Sequence, residues 1–296
     1  MTIYSQIASN RYKTYLIFGL FIFIFTGFFF ILGKALDESA GGYAIIGFVV
    51  ALGSSVWSYY FSDKVVLSTT HARPVTKEEF FDLFTVTENL AIAAGIPMPK
   101  LYVIDDASPN AFATGRDPKH AVVVATTGLL QRLERSELEG VIAHELSHVK
   151  NYDILVSTVT AVLVGTIALV ADWVMRSLWW GGDSDNKNKN PIMFVVLIIA
   201  LILTPIVATL IQLAVSRRRE YLADASGALL TRYPDGLARA LEKIASYPAG
   251  VHTATTSTAH LFFESPFKKG SGQSWFTNLF STHPPTEKRI EILRNM

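Results

Sequence analysis

His144 and His148 are four positions apart, and Glu145 directly follows the first of them. Side chains four apart on an α-helix share a face, so the two imidazoles can offer nitrogens to one cation. A carboxylate beside the first histidine then lies next to that cation without binding it. From there it can take a proton from an attacking water, the H-E-x-x-H arrangement of zinc peptidases. The bland alternative is an amphipathic helix that carries two surface histidines. A catalytic zinc keeps three protein ligands and one open position, so a third ligand must come from elsewhere.

The best source is "RRREYLADASG", residues 217–227. Glu220 and Asp224 share a helix face there. Glu220 would bind the metal, and Asp224 would orient a ligand histidine from behind. An ordinary charged helix end, its acids meeting nearby arginines, remains the alternative. Two rivals are weaker. Asp153 is nine residues beyond His144, about 13.5 Å along an unbroken helix, which is too far. Glu264 has no helical neighbour to brace it.

Four apolar segments surround these residues, each near the ~20 residues that a bilayer demands. They are Tyr15–Gly33, Gly42–Phe61, Ile154–Val174 and Pro191–Val215. The third, diluted by Asp172 and several Ser and Thr, also suits a buried core helix. Arg11 and Lys13 before the first span, Lys64, Arg73 and Lys77 after the second, and Arg217–Arg219 after the fourth place both termini in the cytoplasm. The hairpin of spans three and four then returns Glu220 to the membrane face that carries His144. Polar Lys150, Asn151 and Asp153 follow the zinc helix, so the metal is expected at the cytoplasmic interface and not within the bilayer.

The expected organisation is therefore a two-helix membrane anchor (1–61), a first catalytic part with the zinc helix (62–153), a transmembrane hairpin (154–215) and a second catalytic part with the third ligand (216–296). The soluble parts read as mixed α+β. Residues 77–95 have helical spacing, with Gly95 as stop signal. "KLYVID" and "HAVVVATT" read as strands. "RSELEGVIAHELSHVKNYD" reads as a helix, with Ser136 and Glu139 as a capping box. "SPNAFATG", residues 108–115, is either a plain loop or an extended segment that binds a peptide by strand addition. His71, His120, His252 and His260 show no partner pattern, and 251–281 yields no assignment.

Composition agrees with a membrane protein. Half of the 296 residues are hydrophobic, 17% are charged, and mean hydropathy is +0.32. A net charge of +1 gives no electrostatic case for nucleic acid. The absence of cysteine excludes disulfides, thiolate zinc ligands and a cysteine nucleophile.

"HELSHVKNYD", "SRRREYLADASGALLT", "SPNAFATG" and "STHPPTEKRIEIL", in this order, resemble the HtpX family of bacterial membrane zinc metalloproteases, from the first span to the C-terminus. The resemblance implies a multi-pass α-helical membrane protein with a zincin-like cytoplasmic domain, related to the CAAX prenyl proteases. It also implies location in the bacterial inner (plasma) membrane, one Zn2+ per subunit, and membrane protein quality control. Carried over by position, it implies His144, His148 and Glu220 as metal ligands, Glu145 as base and Asp224 as the second acid. Asn110, Ala111, Phe112 and Ala113 match an edge strand that holds substrate backbone. His283 and Arg289 match a C-terminal element that reaches the active site, where a cationic group would stabilise the developing oxyanion.

The function expected is a zinc-dependent endopeptidase that cuts cytoplasmic segments of misfolded or damaged membrane proteins, with membrane proteins or unfolded polypeptides as substrates. A site-specific processing protease and a chaperone-like binding protein with structural zinc are the alternatives. Structural zinc is usually closed by four protein ligands, and the spare Glu145 argues for the enzyme.

Overall fold

The computed structural model describes residues 3–36, 38–180, 207, 209–211, 216–267 and 284–296. Helices α1 (Ile3–Ala35) and α2 (Ala40–Thr69) form a long hairpin, with Ser39 capping α2 by accepting from the Gly42 N–H at 3.2 Å. The inner face of α2 is a row of small residues: Gly47, Ala51, Ser55, Ser58 and Ser62. Such a row lets two membrane helices approach closely. A Cβ on Gly47 would lie 2.6 Å from the Phe29 side chain. Phe21, Phe25, Phe28 and Phe29 stack along α1 with centroids 5.1–6.4 Å apart. Ile45, Ile46, Val49 and Trp57 face outward, as lipid contact requires.

The third long helix, α6, runs from Asp153 to Trp180. Its Leu155, Val156, Val159 and Leu163 pack with Ile17, Phe21 and Phe25 of α1, while Leu169 and Trp173 are exposed. Three described helices are thus long and apolar enough to cross a membrane. The fourth expected span falls almost wholly outside the described residues; its Leu210 and Ile211 are buried in the same cluster.

The soluble part is built on a mixed four-stranded sheet of order β1-β2-β4-β3. The strands are β1 (Arg73–Pro74), β2 (Lys100–Ile104), β3 (Ala111–Thr114) and β4 (Val122–Thr126). β2 and β4 are parallel, and β3 lies antiparallel to β4 at the edge. Helices α3 (Phe81–Ala94), α4 (Thr127–Arg132) and α5 (Arg135–Lys150) accompany the sheet. Gly95 ends α3 in the left-handed conformation, φ 68°, the usual glycine C-cap. Residues 77–80, expected within that helix, form a turn ahead of it.

α5 is the central element. Val141, Ile142, Leu146 and Val149 are fully buried and share one core with Val123 and Ala113 of the sheet. The same core takes in Ala228 of α7 (Arg217–Thr231) and Leu237 and Leu241 of α8 (Pro234–Ala245). The two soluble blocks of the sequence therefore fold into one core. Gly140 permits this, because a Cβ there would lie 2.8 Å from the Leu237 backbone.

The start of α5 differs from expectation. The capping box is Glu134 with Glu137, not Ser136 with Glu139; the Glu134 N–H donates to Glu137 Oε2 at 2.8 Å. Glu137 is buried and also receives Lys243 Nζ at 2.7 Å, so a distant partner sets the helix frame. Glu139 faces outward, 3.5 Å from Arg135.

Candidate active site

α5 stops at Asn151, and Tyr152 takes a left-handed conformation, φ 60°, before α6 starts at Asp153. A non-glycine residue in this region is uncommon and needs support from its surroundings. Arg11 supplies part of it, its guanidinium 5.0 Å above the Tyr152 ring. The break redirects the chain from α5 into the third span, and it turns Asp153 back toward His148.

His144 Nε2 and His148 Nε2 face each other at 3.2 Å. Glu220, on the first turn of α7, places Oε2 3.7 Å from His144 Nε2 and Oε1 3.6 Å from His148 Nε2. Three donor atoms from two helices thus converge on one point. Two ligands about 2.0–2.1 Å from one tetrahedral ion lie roughly 3.3 Å apart, so this donor set matches zinc in both chemistry and spacing. Gly227 allows α7 to come this close, since a Cβ there would be 3.1 Å from the His144 backbone nitrogen.

A carboxylate stands behind each imidazole. Asp224 Oδ1 lies 2.9 Å from His144 Nδ1, off the ideal hydrogen-bond line. Asp153 Oδ2 lies 3.0 Å from His148 Nδ1. An ionised carboxylate only accepts, so the proton of each neutral imidazole is on Nδ1, which leaves the Nε2 lone pair to bind metal. In the metal-free site burial disfavours the His144 imidazolium, yet Asp224 and Glu220 outweigh burial and raise its pKa to about 9. Burial likewise opposes charge on His148, and Asp153 and Glu220 raise its pKa.

Asp224 is held in turn by Arg289 of helix α9 (Thr286–Arg294), which donates from Nε to Oδ2 at 2.8 Å and from Nη2 to Oδ1 at 2.7 Å. Arg289 is completely buried and its Nη1 meets the Phe263 carbonyl at 3.3 Å. It clasps Asp224 from behind and is not part of the cleft wall. His283 lies outside the described residues.

Glu145 lines the cleft between Ala113, His144 and His148. Burial pushes its pKa up, the two imidazoles pull it down, Glu220 raises it, and the backbone of Ala113 pulls it down by hydrogen bonding. The net rise brings it toward the range a general base needs near neutral pH.

β3 presents an open edge beside Glu145. The Asn110 carbonyl accepts from Thr126 of β4, whereas the Ala111 carbonyl accepts from Phe263 at 2.8 Å. Alternation along a strand then turns the Ala113 N–H and C=O away from β4 as well. Of the four residues expected to hold substrate, Ala113 reaches the cleft. Phe112 points to the other side and meets the Phe262 ring edge to face. Asn110 does hold a peptide backbone, but one from its own chain: its Nδ2 donates to the Glu264 carbonyl at 2.9 Å. Residues 262–264 thus strap the start of the edge.

Sequence reasoning missed two participants. Asp153 reaches His148 only because the helix breaks at Tyr152, which no residue type in the sequence marks. His260 carried no motif, yet it lines the cleft with Nε2 3.0 Å from the Ser157 carbonyl. The rival Glu264 accepts from Thr286 at 2.9 Å and is not in the ligand cluster.

A His-His-Glu cluster able to hold a metal, with a buried carboxylate beside it and an apolar span directly after α5, defines a membrane-anchored metallopeptidase. Residues 77–296 match peptidase family M48, and the chain belongs to that family, with HtpX proteases as its relatives. It is 46% identical to the "Protease HtpX homolog" of Tropheryma whipplei (strain Twist) over 99% of this chain and 98% of the relative. The homologue of Dictyoglomus thermophilum is 48% identical over 100% and 95%. That of Pyrococcus furiosus is 48% identical over 94% of each. Among solved structures, S. mikatae Ste24p is similar with a TM-score of 0.48 at 17% identity, over 96% of this chain and 64% of that one.

Proposed function

We propose that this protein is a zinc-dependent endopeptidase that cleaves cytoplasmic segments of misfolded or damaged membrane proteins. The observation that carries the reading is the convergence of His144, His148 and Glu220 within 3.2–3.7 Å, with Glu145 beside them and next to an open strand edge. His144, His148 and Glu220 would hold zinc, which when bound supplies Lewis-acid polarisation and lowers the pKa of water.

The chain's own groups do the rest. An extended substrate pairs with the open edge of β3 at Ala113, whose C=O accepts from it, which fixes its backbone with little demand on sequence. That suits unfolded segments of many proteins. Glu145 takes the proton from the attacking water and delivers it to the leaving amine nitrogen. Asp153 and Asp224 keep both imidazoles in the tautomer that leaves Nε2 free. Residues 262–264 close one end of the edge strand, so the peptide runs past Ala113 toward Glu145.

The edge strand, the zinc helix that packs against it, and the third ligand on a later helix make the domain zincin-like in this reading. A fourth span at 191–215 returns Glu220 to the cytoplasmic side of a bacterial plasma membrane. The test is hydrolysis of an unfolded polypeptide and of a membrane protein by purified wild type and Glu145→Gln, with zinc content measured in both. Glu145→Gln is expected to keep zinc and lose hydrolysis; full activity in that variant refutes the mechanism.

A further inference from the structure

A second cavity, about 430 Å³, lies between the N-terminal part of α1, the first residue of α6 and the start of α7. Small-molecule sites typically measure about 300–1,000 Å³. The cavity backs onto the catalytic cleft: Asp153, Ser216 and Arg219 belong to both walls. It also lies where the spans end, because Asn10 of α1 donates to Asp153 Oδ1 at 2.8 Å and so joins the ends of two spanning helices.

The charge around this cavity is one-sided. Lys13, Arg218 and Arg219 all line it, and Asp153 is the one carboxylate among its lining residues. Asp153 is already occupied. Oδ2 meets His148 Nδ1, and Oδ1 accepts from Asn10 Nδ2 and from Arg219 Nη1 at 3.1 Å. Lys13 and Arg218 have no ion pair among the described residues. Ser9, Ser216 and Tyr221 add hydroxyl groups to the same walls. Two unneutralised cations and three hydroxyls in a concave site at a membrane boundary match a phosphate ester, and basic pockets between membrane helices bind anionic headgroups for this reason. The start of α7 points the positive end of a 15-residue helix the same way.

We infer that this cavity binds the phosphate of an anionic phospholipid headgroup, and that the bound phosphate braces Arg219 and Asp153 behind His148. The bilayer would then do more than anchor the enzyme: its anionic lipid would firm up one metal ligand from the far wall of the cleft. Inorganic phosphate shares the chemistry, so both sources must be tried.

The test uses the full-length protein in nanodiscs of phosphatidylcholine alone or with increasing phosphatidylglycerol, and in detergent with millimolar inorganic phosphate. Bound lipid, unfolding midpoint and the rate of zinc loss to a chelator are read. For wild type, phosphatidylglycerol is expected to bind saturably, raise the midpoint and slow zinc loss. Lys13→Gln with Arg218→Gln should weaken the apparent lipid affinity about tenfold or more and remove both effects. Lys64→Gln with Arg217→Gln removes the same charge at the same membrane face, outside the cavity, and should change neither. Should the first pair fail to fold, Arg218→Gln alone, at an exposed position, carries the test with a smaller shift. Equal losses in both pairs, or none in either, overturn the inference. Stabilisation by inorganic phosphate but not by phosphatidylglycerol, lost in the first pair, overturns the lipid as occupant.

Discussion

Asp153→Asn is the sharpest test of how the metal site is held. Asp153 accepts on both oxygens: Oδ2 from His148 Nδ1 at 3.0 Å, and Oδ1 from Asn10 Nδ2 at 2.8 Å and Arg219 Nη1 at 3.1 Å. An asparagine has the same shape but only one accepting oxygen. If its amide nitrogen faces His148, Nδ1 must become the acceptor and the proton moves to Nε2, the nitrogen that meets Glu220. If the amide nitrogen faces the other way, it meets the donors of Asn10 and Arg219. Either choice loosens a ligand that is otherwise fixed in tautomer and direction. Losing a partner of this kind typically weakens metal affinity about 10–100-fold, or about 1.4–2.7 kcal/mol. The assay is zinc affinity of purified protein by chelator competition, with hydrolysis followed as zinc is restored. Asp153→Asn is expected to bind zinc 10–100-fold more weakly and to regain much of its activity in excess zinc. Zinc affinity within about twofold of wild type would refute the reasoning, since a twofold change is well below one decade.

Glu220→Ala should lower zinc content as strongly as His148→Ala, while Glu264→Ala should not; stoichiometric zinc in Glu220→Ala would place the third ligand elsewhere. Metal-free protein should show a pH signature of His144. Its folded pKa of about 9 lies above the ordinary value of about 6.5, so its contribution to stability is complete below about 6.5 and fades as pH rises through 9. Zinc displaces that proton, so apparent zinc affinity should climb between about pH 6 and 9; a flat profile contradicts it. Gly140→Ala drives a methyl to 2.8 Å from the Leu237 backbone and should cost roughly 1–3 kcal/mol, read by denaturant unfolding; an unchanged midpoint would mean α8 yields freely. Single cysteines at positions 38 and 150 test orientation in sealed cells. Position 38 should react with an impermeant reagent, and position 150 only after the membrane is opened; the reverse pattern inverts the topology.

The local chemistry is legible from residue types and spacing alone. His144 and His148 are four positions apart and Glu145 adjoins the first, so a face shared by the two imidazoles with a carboxylate beside it follows from helix geometry alone. The spans announce themselves by length and apolarity, β2 and β4 by β-branched runs, and the end of α3 by Gly95. Glu220 was legible as well, because it is a helix-borne carboxylate just beyond an expected span that returns to the same face. The remaining features depend on residues far apart in the chain. The left-handed turn at Tyr152 has no glycine to mark it, and Arg11 packs on it from 141 positions away. Without that break, Asp153 cannot reach His148. Arg289 is 65 positions from Asp224, and only the packing of α9 shows that it grips that acid instead of lining the cleft. Asn110 was read as a holder of peptide backbone, and the fold gives it one from its own chain at Glu264. Glu137, not Ser136, frames α5 because Lys243 waits for it on α8. Spacing reveals which side chains share a face, but their long-range partners are settled by how whole elements pack.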